Sequence, residues 1–506
     1  MIKYKLESKL DGDIVIYILS NKLKIKKFKE ANKHLNINKY DFRTKFMSMQ
    51  CGKTHILYPE LEEKYSFLED IRILMSDVIY QLYNIDDLNK KKISICLLNA
   101  SVYDLDNTEN KRLESIIESQ ILSTMSTLYS FDKYKNETSI LPKIISFYTD
   151  DLSGNIKSLF EKCVIINKNL SLVRDLGNEP GNKLQPINYS NMIYNSSKSK
   201  NYSVKIMKEG ELKRLGLNNI IEMAKGSSQP PRFVIIKYNG LRKHRLSKKK
   251  TQLTQKKNKR NKKQDNNPIV LVGKGVTFDA GGINLKLDPD MNQMKTDMMG
   301  SAIVFAIIDT LSRLKVKKNV IGLIPLIENM PGQSAIKPGD IITAYNGTTI
   351  EVMDTDAEGR LIMACALAYS EKFKPRYLID FATLTGQAGS ITNEESSIIM
   401  SNDSKLSNKI MEIGEEEYER VTLLPIYKEH ENELKSTIAD IKNISNDING
   451  TDCIYAGAFL KEFVPKDVKW LHIDLCKNYL KESNKYYPQG CTGIGYKLGL
   501  KLVMNL

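Results

Sequence analysis

Apolar and polar positions along this chain follow two periods. In the first 165 residues, short β-branched runs at Ile14–Leu19, Ile93–Leu98 and Ile144–Phe147 predict strands. Longer runs with apolar residues three or four apart, Glu60–Tyr80 and Lys111–Leu128, predict helices. This alternation predicts an α/β domain over 1–165. A helical stretch, Ser158–Leu176, leads to GNEPGNKLQP at Gly177–Pro186, whose Pro and Gly density marks a break, so 166–186 reads as a linker helix and turn.

From 187 to 506 the alternation resumes. Phe233–Tyr238 and Ile269–Val272 are continuously apolar, the mark of strands buried on both faces. Val320–Pro325, Thr349–Met353 and Tyr377–Phe381 read as further strands, and Met294–Leu314 and Arg360–Tyr369 as helices. The expected fold class is α/β: a variable N-terminal α/β domain, then a C-terminal α/β domain with a mostly parallel central sheet covered by helices on both faces.

Composition narrows this only slightly. A chain of 506 residues with 41% hydrophobic content has material for more than one core. No apolar run reaches the ~18 residues of a membrane helix, and the opening MIKYKLESKLDGD lacks the pattern of a secretory signal. Seven scattered cysteines without a CxxC pair fit a reducing cytoplasm. The net charge of +15 is concentrated in Leu241–Asn266, where twelve Lys or Arg and one Asp give +11, and subtracting that leaves +4 for the rest. Such a segment is expected to be a solvated insertion between two strands. It is also the one place where nucleic acid could be held, although no aromatic residue interleaves the basic ones to stack on bases.

The chemistry lies in three segments: VGKGVTFDAGGINLK at Val272–Lys286, MNQMKTDMMG at Met291–Gly300 and EVMDTDAEGRL at Glu351–Leu361. They supply the carboxylates Asp279, Asp297, Asp356 and Glu358 and the cations Lys274, Lys286 and Arg360. Four carboxylates balance two divalent ions, which points to a two-metal hydrolase. Two of the segments follow directly on predicted strands, where open α/β sheets place their sites. The five histidines are isolated, with no HExxH pair, GxSxG elbow or P-loop spacing.

DTDAEGRL at Asp354–Leu361 closely resembles the NTDAEGRL signature of the leucyl (cytosol) aminopeptidase family. VGKGVTFDAGGINLK and MNQMKTDM resemble that family's metal-site segments. Agreement extends to RDLGNEPGNKLQP, DFATLTG, STIADIKN, AFLKEFV and WLHID, from Arg174 to the C-terminus. The lysine- and asparagine-rich bias is similar to that of apicomplexan members. The resemblance implies a metallo-exopeptidase with 187–506 as its catalytic domain. Lys274, Asp279, Asp297, Asp356 and Glu358 would hold two divalent metals, Asp279 and Glu358 serving both. Zinc is the usual ion, and manganese, magnesium or cobalt can replace one of the pair.

Lys286 and Arg360 would be the catalytic pair, the counterpart of Arg360 holding a bicarbonate that acts as general base. Lys274, Asp279 and Lys286 would also meet substrate. Met294, Thr383, Leu384 and Gly386 would shape the pocket for the first side chain. A metal-bridging hydroxide would then remove an N-terminal leucine or similar apolar residue from short peptides. The assembly implied is a homohexamer, a dimer of trimers, in the cytoplasm and without a membrane partner. The competing implication is a nucleic-acid-binding, moonlighting protein on the same scaffold, acting through 241–266. Asp354 and Cys365 depart from the family pattern, as does the basic insertion.

Overall fold

A computed structural model describes residues 2–7, 14–16, 46–51, 54–59, 64–83, 87–97, 110–149, 154–241, 267–287, 289–446 and 451–506. The basic segment 242–266 and the ends of the runs expected at Ile14–Leu19, Ile93–Leu98 and Glu60–Tyr80 lie outside the described residues. The chain divides into two compact units, Met1–Ser171 with Leu480–Thr492, and Leu172–Tyr479 with Gly493–Leu506.

The first unit contains strands β1 (Lys3–Glu7), β2 (Ile14–Ile16), β3 (Phe46–Cys51), β4 (Thr54–Pro59), β5 (Lys92–Cys96) and β6 (Ile144–Tyr148). They form one sheet in the order β1-β6-β5-β2-β4-β3, parallel throughout except for the β3–β4 pair. Ile93, Ile95, Ile145 and Phe147 are buried at its centre. Helix α1 (Phe67–Leu82) starts later than its apolar spacing suggests, because the Ser66 side chain accepts the Glu69 N–H and caps it there. Leu480–Thr492 belongs to this unit despite its distance in sequence. Tyr486 donates its hydroxyl to Glu69, Ser126 donates to the Tyr486 carbonyl and Tyr80 to that of Lys485. The span 187–506 is therefore interrupted, and the division at Leu172 falls inside one helix, Gly154–Asn178, ahead of the Pro/Gly-rich break.

The second unit is built on strands β7 (Tyr202–Lys208), β8 (Arg232–Asn239), β9 (Ile269–Gly273), β10 (Gly275–Asp279), β11 (Asn319–Asn329), β14 (Tyr377–Ala382), β15 (Ser397–Ser401), β16 (Val421–Leu423) and β18 (Lys469–Asp474). The order is β16-β15-β18-β14-β9-β11-β8-β7, with β10 also paired to β11. The central run β18-β14-β9-β11 is parallel, with antiparallel strands added towards both edges. Alternate residues point to opposite faces. On one face Phe233, Ile235, Val270, Val272, Leu323 and Leu378 join a core with Leu361–Tyr369 and Phe459. On the other, Gly322 lies against Val304 and Ile308 of helix α2 (Met299–Arg313). Helices thus cover both faces.

Two sequence-based elements differ from expectation. Thr349–Met353 does form a strand, β13 (Thr349–Glu351), but outside the central sheet. It lies between β12 (Ile341–Thr343) and β17 (Ile441–Lys442) in a separate three-stranded sheet. A run of three paired residues carries no mark of which edge it will find. The helix expected over Met294–Leu314 is two pieces, a 3₁₀ turn at Met291–Thr296 and α2. Asp297 breaks them apart. Its carboxylate accepts the Thr383 hydroxyl and meets Lys274, so it is committed to tertiary contacts.

Candidate active site

The parallel strands deliver their carboxyl ends to one place. Lys274 lies between β9 and β10: its N–H donates to the Phe381 carbonyl and its own carbonyl accepts from the Ser301 N–H. Asp279 ends β10 and Thr383 follows β14. Past β10, Gly281 and Gly282 take φ of +92° and +66°, which a side chain would resist, and the chain folds back until the Lys286 N–H donates to Ala280. That turn returns the Lys286 side chain to Asp279.

The loop carrying Asp356 and Glu358 is held from the small sheet. β17 pairs in parallel with β13, which places Asn443 beside the loop. The Asn443 side chain accepts the Met353 N–H and donates to the Asp354 carbonyl at 2.6 Å. Asp354 itself turns inward locally, accepting the Asp356 N–H at 2.8 Å. Its departure from the family's asparagine thus preserves an oxygen acceptor in the turn. Glu358 then opens helix α3 (Glu358–Tyr369). Cys365, the other departure, lies on this helix within the core, its thiol pushed up to about 12 by burial.

The side chains converge. Lys274 Nζ lies 2.8 Å from Asp297 and 3.0 Å from Glu358, and donates to the Thr383 carbonyl at 2.7 Å. Lys286 Nζ lies 2.8 Å from Asp279 and 2.5 Å from Asp356. Asn329 and the Gly281 N–H fix the other Asp279 oxygen. Lys274, Asp279, Lys286, Met294, Asp297, Asp356, Arg360, Thr383, Leu384 and Gly386 all line one cavity of about 770 Å³. Glu358 alone of the expected residues does not line it. It is buried beneath the cavity, bonded to Lys274 and with an oxygen close to those of Asp279 and Asp356.

The electrostatics are those of a seat for added positive charge. Burial pushes the Asp297 carboxyl well above its usual range; Lys274 pulls it back, and Glu358 and Asp279 push it further. Asp356 rises to about 7, first by burial and then by the charge of Asp279, and Glu358 rises for the same two reasons. Burial opposes the charged forms of Lys274 and Lys286, but the carboxylates around them win and keep both ammonium groups protonated. Ligand oxygens of Asp279, Asp356 and Glu358 lie within 4.8 Å of one another, and one buried Asp297 oxygen has no hydrogen-bond partner. An all-oxygen cluster with a spare buried acceptor fits hard or borderline divalent ions.

Arg360 does not present a free guanidinium. It is buried in the first turn of α3, donating from Nη1 to the Asn443 carbonyl and from Nη2 to Asp452 at 2.7 Å. The expected bicarbonate therefore meets an arginine whose charge is already compensated. Asn443 and Asp452 were not singled out from sequence. Asn443 closes the quoted run STIADIKN, but its role depends on the β13–β17 pairing. Asp474 was also missed. It accepts the Leu384 and Thr385 N–H groups and the Thr385 hydroxyl, and so shapes the pocket loop. On the same strand Trp470 and His472 stack at 6.3 Å and both bond Asp380, a buried network behind that loop.

An acidic cluster with two embedded lysines, set where the ends of the parallel strands meet a loop held by the small sheet, fits a metal-dependent hydrolase of the α/β class. The family model described as the catalytic domain of the cytosol aminopeptidase family matches residues 171–499, and the chain belongs to that family. Its activity is accordingly that of an aminopeptidase, a metallo-exopeptidase acting on peptides. A probable cytosol aminopeptidase of Geobacter sp. (strain M21) is 34% identical over 79% of this chain and 77% of its own length. The corresponding protein of Geobacter sulfurreducens is 36% identical over 73% and 71%. The solved structure of the bottromycin maturation enzyme BotP shares the fold, with a TM-score of 0.80 at 23% identity over 98% of this chain and 99% of that one. No described helix is long and apolar enough to cross a membrane.

Proposed function

We propose that the cavity removes an N-terminal leucine or similar apolar residue from short peptides, with Lys274, Asp279, Asp297, Asp356 and Glu358 holding two divalent ions, Asp279 and Glu358 serving both. The observation that carries this reading is the cluster of ligand oxygens within 4.8 Å, with the unpartnered Asp297 oxygen beside it. Zinc is the expected ion, with manganese, magnesium or cobalt able to replace one of the pair. Bound there, such ions supply the positive charge that activates water and polarises the scissile carbonyl. With such ions bound, Lys274 would hold one of them as a neutral amine, because dications beside it would oppose its ammonium form. Lys286 remains the charged ammonium of the cavity wall and would stabilise the oxyanion as charge develops.

Met294 and Leu384 offer an apolar wall for the first side chain, and at Gly386 nothing lies within 4 Å of where a Cβ would stand. The exposed apolar residues Ile283, Leu285 and Leu287 flank Lys286 and support a homohexamer that covers them. Cys365, Cys453 and Cys476 are free thiols, which supports a reducing cytoplasm. A second reading, nucleic-acid binding through 241–266, is favoured only by the charge of that segment.

Release of leucine from a chromogenic leucyl amide tests the first reading. Turnover should stop with chelator and return with zinc or manganese. Acetylating the substrate amine should abolish it, and equal cleavage of the acetylated amide would falsify the exopeptidase assignment.

A further inference from the structure

Asp452 is the first residue of helix Asp452–Glu462, and its backbone is fixed where the N–H donates to the Gln387 side chain. Its carboxylate reaches back to Arg360 at 2.7 Å. The two partners differ in exposure: the Arg360 side chain is 2% exposed and that of Asp452 38%. Both line the cavity that holds Lys274, Asp279 and Asp356. Nε and Nη2 of an arginine share one edge of the guanidinium plane, the edge that grips a carboxylate or bicarbonate with two hydrogen bonds. Here Asp452 takes Nη2, and Nε is buried without a partner. A bicarbonate could grip that edge only by displacing Asp452.

We propose that Asp452 is the resident anion of the Arg360 seat, so that this enzyme needs no exogenous bicarbonate. The proposal rests on the aminopeptidase reading of the cavity. Arg360 holds one carboxylate oxygen, and the half-exposed side chain keeps the other available to the cavity. As the water oxygen bonds to the scissile carbonyl carbon, its proton passes to the Asp452 carboxylate. The same proton then moves to the departing amine as the C–N bond breaks, which leaves Asp452 ionised for the next cycle.

The test uses the metal-loaded full chain in carbon-dioxide-stripped buffer at fixed pH, with and without bicarbonate or formate. Wild-type turnover of the leucyl amide and wild-type melting temperature should not respond to either anion. Asp452→Ala should lose about 10²-fold in turnover. It should regain much of that with either anion and melt at a higher temperature when the anion is present. Asp452→Asn keeps the bulk without the charge, so it should be equally slow and not rescued. The proposal is overturned if wild-type turnover or melting temperature rises with bicarbonate, if Asp452→Ala keeps full turnover in stripped buffer, or if neither anion moves either readout in Asp452→Ala. The wild-type arm stands even if a variant fails to fold. Wild type inactive in every buffer would count against the aminopeptidase reading, and the melting arm would still decide the anion question.

Discussion

Lys286 Nζ stands 2.5 Å from an Asp356 oxygen, brought there by the Gly281–Gly282 turn. It touches two of the cluster's carboxylates but is more exposed than Lys274. This difference separates their roles. Lys286→Ala should keep its metal and lose about 10²–10³ in turnover, the cost of one oxyanion-stabilising donor. Asp356→Ala and Glu358→Ala should lose metal and activity together. Metal analysis of the purified variants beside their kcat decides this, and normal turnover in Lys286→Ala would exclude the role given to it.

Gly359 offers a test of how tightly Lys274 is held. A Cβ at that position would stand 2.5 Å from Lys274 Cε and 2.7 Å from Nζ. Lys274 has nowhere to go, because Asp297, Glu358 and the Thr383 carbonyl fix its amine. Gly359→Ala should therefore displace the amine and cost about 10²-fold in kcat, the effect of a misplacement near 1 Å. Circular dichroism should remain that of wild type. Unchanged turnover would mean that the lysine can move without consequence.

The parts of the site that were legible in sequence sit at the ends of well-formed strands. Asp279, Lys274 and Lys286 share one strand-to-turn segment, so their convergence is local and their spacing announces it. Asp356, Glu358 and Arg360 are likewise carried by one loop and one helix turn. Asp452, Asn443 and Asp474 were not legible, because each acts through a tertiary contact with a segment far along the chain. The small sheet is the clearest case. β13 was legible as a strand, but its two-residue partner β17 carries no periodicity, and their pairing positions the asparagine that holds the Asp354 loop. The return of Leu480–Thr492 to the first unit escaped notice for a similar reason. It is anchored by Tyr486 and by two backbone carbonyls, which no pattern of side chains reveals.

Acid stability should depend on Asp309, which lies on helix α2 and takes no part in the catalytic cluster. Burial pushes its carboxyl up, but bonds and charge from Arg313 and Lys200 outweigh this and hold it below the usual carboxylate value. Tyr202 donates to the same oxygen as Lys200. A carboxyl whose folded pKa is depressed stabilises the fold fully above its unfolded pKa, about 3.9. That contribution disappears as pH falls through the lower, folded value. Asp309→Asn should therefore melt below wild type at pH 7, and the gap should narrow as pH drops from about 5 towards 3. Melting curves across that range check it; a gap that does not change with pH would show that the deficit is packing rather than charge.

Removing the basic segment should leave the hydrolase intact. β8 ends with Asn239 opposite Asn319, and β9 begins with Ile269 opposite Val320, so both flank the start of β11. The two ends are separated by one strand, roughly 10 Å at the usual inter-strand spacing. A short Gly-Ser linker spans that gap, and loop closure changes by only ~0.6 kcal/mol per doubling of loop length. Residues 242–266 carry the +11 excess. The variant with this segment replaced should therefore keep kcat and melting temperature while its isoelectric point falls. If the segment holds nucleic acid, the intact chain should be retained on DNA or RNA at low salt and released as salt rises, whereas the variant should not be retained. Loss of turnover or of assembly on replacement would identify 242–266 as part of the working enzyme rather than an insertion in a loop.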